Sequence, residues 1–190
     1  MAVAGIDTET LLYENTNQAR SISRAVAFFV ERIKCRYLDQ INILNENAYS
    51  NGFASMALIC LLIDTLFQFY SGESNGQNNH IKYVSFLENR FGDVFDTHEK
   101  AERFYKDIRC GILHSAQTKS GSQLSSSGRD ILELTDQSSD SPIRVDVVLF
   151  SKRVEIYFYN YIREIETNEL IQTNFIKRVL NMFVQEVKKK

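Results

Sequence analysis

The stretch "FASMALICLLIDTLFQF", residues 53 to 69, constrains this chain more than any other. It is apolar nearly all round, interrupted only by Ser55, Asp64 and Gln68. A helix with no polar face has to be covered on every side, so it belongs at the centre of a helical bundle. The run falls short of the clean span of about 20 apolar residues that a membrane crossing needs. With no secretory leader legible at the N-terminus, the expectation is a cytoplasmic protein without a membrane partner. Asp64 is the anomaly: a carboxylate inside such a helix needs a cationic partner, and Arg109 is the obvious one.

The flanking sequence supplies the walls. Ile22, Val26, Phe29, Ile33, Tyr37, Ile41 and Leu44 recur at steps of three and four, predicting one long amphipathic helix over residues 18 to 45. "NENAYSNG" then supplies turn chemistry, and "SGESNGQNN", residues 71 to 79, reads as an exposed loop. A shorter helix over about residues 80 to 90 is expected to face Ile81, Val84 and Leu87 inward. Thr97 is placed to cap a fourth helix running through residues 98 to 117.

Beyond it the period changes. "TKSGSQLSSSG" is a Gly/Ser-rich segment that reads as a loop. "DILELT" and "IRVDVVLF" alternate with period two and predict a two-stranded β-hairpin, with Pro142 opening its second strand. Helix returns over residues 151 to 166, "TNE" interrupts it, and Ile171, Phe175, Val179, Met182, Phe183 and Val187 form a last stripe ending in "KKK", a run the helix macrodipole favours. The expected fold class is mainly α: a four-helix bundle over 18–118, a hairpin over 128–150 and C-terminal helices over 151–190, in a single domain.

A net charge of −2 argues against a protein that coats nucleic acid through bulk charge, while leaving room for a local basic patch. Cys35, Cys60 and Cys110 show no metal-ligand spacing and suit reduced thiols; Cys35 and Cys60 fall within apolar helical stripes, as small core fillers do. His80 and His98 have no paired ligand at zinc spacing, and no Gly-rich phosphate loop occurs, so neither a metal nor a cofactor is expected.

The chemistry concentrates in "DIRCGILHSAQT", residues 107 to 118. His114 can take and return a proton near neutral pH, whereas Arg109 holds a permanent fork of donors for a phosphate or for charge building on phosphorus. Five helical steps put the two about 140° apart and about 7.5 Å along the axis, so they meet only if the arginine curls back or a second copy of the helix contributes. Gly111, between them, costs a helix about 1 kcal/mol and permits another backbone to approach. One proton shuttle and one anion clamp suffice in principle to cleave RNA without metal, the 2′-hydroxyl being the nucleophile.

The arrangement Arg, four residues, His, on the last helix of a four-helix bundle and here reading "RCGILH", resembles the HEPN superfamily (higher eukaryotes and prokaryotes nucleotide-binding domains). The resemblance covers about residues 18 to 118. It implies a bundle that dimerises with the two motifs facing each other, often as a metal-independent endoribonuclease of prokaryotic toxin, defence or stress systems. By that resemblance Arg109 and His114 are the catalytic pair. The partners implied are RNA, a second copy of the chain, and a cognate antitoxin or defence-complex protein.

Asp64 is expected to pair with Arg109 and thereby orient it. Gln117 and Thr118 are placed to cap the helix or touch substrate, and Lys119 to meet a phosphate backbone. Arg103 and Asp107 read as an i, i+4 surface pair. Cys110, where the family often has a polar residue, motivates the alternative of a non-catalytic module that binds a nucleotide or a partner protein.

Overall fold

The computed structural model describes residues 8–73, 79–135 and 141–187, with side chains described over 21–73, 79–135 and 141–182. The expected loop at 74–78, the turn at 136–140, the side chains of Phe183 and Val187, and the terminal lysines 188–190 lie outside the described residues.

The chain is mainly helical with a small three-stranded sheet. Helix α1 (Thr8–Ile33) runs through a π-helical turn, Lys34–Leu38, into α2 (Asp39–Asn45). It is one continuous rod, and of its expected stripe Val26, Phe29, Ile33 and Ile41 are buried. Helix α3 (Ala48–Ser71) is the apolar segment, and Met56, Ile59, Cys60, Leu62, Ile63 and Leu66 on it are fully buried. By length and composition α3 is apolar enough to cross a membrane, yet it stands in the middle of the bundle with α2, α6, α7 and α8 packed against it. Its one buried hydroxyl is satisfied: Ser55 donates to Asn45 Oδ1 at 2.7 Å, and Asn45 Nδ2 donates to Ser151 Oγ at 2.8 Å, tying α2, α3 and α7 together.

Helix α4 (Asn79–Arg90) buries Tyr83, Val84, Phe86 and Leu87. Ile81, expected inward, is 67% exposed, because the buried stripe of this short helix is set by its aromatic residues. Cys35 is a second departure: it lies on the outer face of the π-helical turn and is exposed. Helix α5 (His98–Arg103) opens where expected, with Thr97 Oγ1 accepting from the Lys100 amide at 3.4 Å. It passes through a second π-helical turn, Phe104–Arg109, into α6 (Cys110–Ser115).

The segment after α6 is structured. Strand β1 (Gln123–Ser125), inside the Gly/Ser-rich stretch read as a loop, pairs parallel to β3 (Ile143–Asp146). Strand β2 (Leu132–Leu134) pairs antiparallel to β3 on the other side, giving the order β1-β3-β2. The expected hairpin is therefore two strands of a three-stranded sheet, and its second strand is shorter than the alternation suggested. "VVLF" begins α7 (Val147–Thr167), because Asp146 caps a helix there by accepting from the Leu149 amide at 2.9 Å.

Asn168 breaks the chain between α7 and α8 (Glu169–Val187), at the "TNE" interruption. These C-terminal helices are walls of the bundle rather than additions to it. Phe29 of α1, Phe69 of α3 and Phe175 of α8 meet with ring centroids 4.3 to 5.7 Å apart, and Phe158 of α7 joins them at 6.0 Å. Offset and edge contacts of this kind add to what burial alone contributes.

Candidate functional site

Three helices converge on the Arg109–His114 motif. Asp64 reaches it from α3, Tyr83 from α4, and Tyr105, Arg109, Cys110 and His114 from the rod that runs α5, π-turn, α6. Arg109 Nη2 donates to Asp64 Oδ2 at 2.6 Å, the partnership expected of an acid within an apolar helix. The guanidinium lies 5.5 Å from the Tyr105 ring centroid and 6.0 Å from that of Tyr83, so two aromatic faces hold it from beneath.

With Nη2 held by Asp64, Nη1 turns outward. It lies 3.4 Å from His114 Nε2 and 3.7 Å from Cys110 Sγ. The two motif residues thus meet within one chain, because the long arginine side chain bridges the angle that the five-residue step leaves between them. Arginine has no acceptor, so the contact is a hydrogen bond only when His114 Nε2 carries a lone pair and its ring proton sits on Nδ1. His114 itself is exposed, while the side chains of Asp64 and Arg109 retain 19% and 17% of their surface. The site is a half-sunken cation with an accessible imidazole at its lip.

Burial raises the Asp64 carboxyl above its ordinary range, and the hydrogen bond and charge of Arg109, with a smaller effect of His114, work against that rise. On Arg109 burial acts against the charge, and the hydrogen bond and charge of Asp64 outweigh it, so the guanidinium stays protonated. Two buried polar atoms here have no partner, Arg109 Nε and Tyr83 Oη. Cys60, under the site on α3, is sealed, and burial pushes its thiol far up, which leaves it unreactive.

Gly111 does permit a close backbone approach, but by this chain's own segment. The chain reverses at Ala116, whose φ is 52°, and a Cβ on Gly111 would stand 2.5 Å from the Gln117 carbonyl oxygen and 3.3 Å from Thr118 Cα. The Gln117 amide donates to the Gly111 carbonyl at 3.4 Å, so Gln117 caps the helix through its backbone. Lys119 follows with its amide on the Asp107 carbonyl at 3.0 Å and its side chain exposed, and Thr118 is half-buried.

Asp107 is not the surface residue its spacing suggested. It is 4% exposed and accepts from Ser122 Oγ at 3.1 Å, with Arg103 at 3.6 Å, while Ser122 Oγ in turn accepts from the Ile143 amide at 3.2 Å. That chain of contacts docks the returning segment and β3 onto the helix carrying the motif.

The sequence did not disclose Tyr83 and Tyr105, and it marked His80 only as a histidine without a metal partner, not as a neighbour of the motif. Tyr105 was findable: it precedes Arg109 by four residues and so shares its flank of the helix. Tyr83 and His80 come from another helix, and nothing local marks them. His80 hydrogen-bonds Glu102 at 2.7 Å and stacks on Tyr105 at 4.4 Å, and His98 pairs with Glu88 at 2.7 Å. Among the described residues no group of three or more His, Cys, Asp or Glu is placed to hold a metal. No family model matches the chain, and no curated protein and no solved structure matches it.

Proposed function

We propose that this protein is a HEPN-like, metal-independent endoribonuclease of a prokaryotic toxin or defence type, acting in the cytoplasm as a homodimer. The observation that carries the reading is the contact of Arg109 Nη1 with His114 Nε2 at 3.4 Å, with Asp64 fixing the other arm of the guanidinium. A scissile phosphate set against Nη1 has its non-bridging oxygens beside a fixed cation. Its 2′-hydroxyl then lies within reach of the imidazole lone pair.

As the phosphate takes over the Nη1 donor, Nε2 is released from Arg109 and takes the 2′-hydroxyl proton while O2′ bonds to phosphorus, and Arg109 stabilises the charge on the non-bridging oxygens. The bond to O5′ breaks, and that oxygen gains a proton, from His114 or from its counterpart in a second copy. The products are a 2′,3′-cyclic phosphate and a 5′-hydroxyl.

RNA digestion in the presence of a chelator tests the reading. Wild-type protein is expected to cut, Arg109→Ala and His114→Ala to lose cutting, and a deoxyribose at the scissile position to block it. Intact RNA, or cleavage that survives His114→Ala, overturns it.

One observation favours a second reading. Asp64 already neutralises Arg109 at 2.6 Å and Cys110 follows it directly, which suits a module that binds a nucleotide or partner protein without cleaving. Such a module tolerates the deoxyribose substitution in binding and shows no turnover.

A further inference from the structure

His80 stands one ring away from the motif. Its Nε2 edge is held by Glu102 at 2.7 Å, and Glu102 is itself bridged by Lys106 at 2.6 Å. One face of the imidazole is stacked on Tyr105, with centroids 4.4 Å apart and planes inclined by 30°. Tyr105 in turn lies 5.5 Å from the Arg109 guanidinium. Yet the His80 side chain keeps 38% of its surface. Tyr105 takes one face and Glu102 one edge, and the rest of the side chain carries that exposure.

A flat ring, held rigid on two sides and open on a third, is what single-stranded RNA binds by stacking, since every base has a π face. A base on the outer face of His80 is separated from the Arg109 guanidinium by two rings, His80 itself and Tyr105. Lys106, 60% exposed and three residues before Arg109, pairs with Glu102 and meets the adjoining phosphate by exchanging that carboxylate for it.

We infer that the outer face of His80, backed by Tyr105, is a stacking subsite for a nucleobase flanking the RNA linkage held at Arg109, an inference that rests on the ribonuclease reading above. The subsite takes a base by its face, so it sets strand position without reading sequence. Glu102 orients the imidazole.

The probe is a fluorescent single-stranded RNA whose 2′-hydroxyls are all methylated, which no 2′-hydroxyl mechanism can cut, with binding followed by anisotropy. His80→Gln keeps a polar partner for Glu102 and removes the ring; it is expected to weaken binding about tenfold. His80→Phe keeps a ring and removes the polar partner; it is expected to stay within about threefold of wild type. On unmodified RNA, His80→Gln raises KM and leaves kcat in place.

If wild type cuts RNA but His80→Gln binds and cuts as wild type does, the subsite is wrong and the nuclease stands. If RNA stays intact yet the methylated strand binds with the same dependence on a ring at position 80, the nuclease is wrong and the subsite stands. Equal weakening by the Gln and Phe variants, or no binding by wild type, overturns the subsite.

Discussion

Asp64 is the residue on which the site's charge balance turns. Its carboxylate is mostly withdrawn from water, and Arg109 is its partner at 2.6 Å. Asp64→Ala leaves a guanidinium four-fifths covered without that partner. Some solvent access moderates the penalty, so a loss of about 2 kcal/mol in a urea titration is expected. The pH dependence has an unusual sign for a carboxyl. Because burial raises the folded value above 3.8, the folded state holds the proton more tightly than the unfolded chain. The proton's contribution is fully present below the ordinary carboxylate range and is lost as pH rises through the folded value. Wild-type stability measured relative to Asp64→Asn should therefore fall between about pH 4 and the folded value and then level off. A difference that grows with pH would place the folded value below that of the unfolded chain and refute the claim. Gly111 gives a second prediction. Alanine there gains about 1 kcal/mol of helix propensity but drives a methyl to 2.5 Å from the Gln117 carbonyl oxygen, so Gly111→Ala should be net destabilising by about 1 kcal/mol. Both residues show what a sequence discloses. An acid in an apolar helix announces a missing cation, and a helical glycine announces an approaching backbone; whose backbone it is depends on the path of residues 116–119, which no local pattern encodes.

At the scale of elements, the long helices were legible because each carries an apolar stripe over several turns, whereas the sheet was only half legible. Strand β1 is Gln-Leu-Ser inside a serine-rich run, and it exists because β3 offers it a parallel edge some twenty residues away in sequence. "VVLF" continues the alternation of Ile143 and Val145 but turns helical, since the carboxylate of Asp146 captures the Leu149 amide and ends the strand. Asp146 does more than cap α7. Fully buried, it also accepts from the Gly128 amide at 2.9 Å and from Ser125 Oγ at 3.4 Å, so one carboxylate joins the end of β1, the 128 turn and the start of α7. Asp146→Ala leaves the Leu149 and Gly128 amides, both partly open to water, without their acceptor and should lower stability by about 2 kcal/mol. Thr97→Ala, at an exposed cap with a single 3.4 Å bond, should cost about 1 kcal/mol or less. Equal urea midpoints for the two variants would show that Asp146 is an ordinary cap and that the sheet is held by its strands alone. The π-helical turn Phe104–Arg109 was not legible either. It widens the rod immediately before the motif, where Phe104 packs against Phe95 and Phe150 at 5.2 and 5.1 Å.

For the whole molecule, a net charge of −2 means that long-range attraction does not gather RNA onto this surface, so the proposed binding has to come from cations placed at the site. Lys106, Arg109 and Lys119 are the cations nearest the motif on its own helix and the segment that follows it. Each phosphate neutralised on a single strand contributes about −0.7 to the slope of log affinity against log salt. One subunit engaging all three gives a slope of about −2, and two copies facing each other across a shared strand give about −4. Raising salt fourfold should then weaken binding of the methylated RNA about 16-fold in the first case and about 250-fold in the second. The measurement therefore counts subunits as well as charges, and substituting Lys106 or Lys119 by alanine should flatten the slope by about 0.7 for each copy engaged. A slope near zero would mean that stacking alone holds the strand and that no phosphate sits at Arg109, which removes the electrostatic half of the proposed catalysis. A slope much steeper than −4 that ignores Lys106 and Lys119 would place the RNA on a different face, away from the imidazole whose lone pair the mechanism requires.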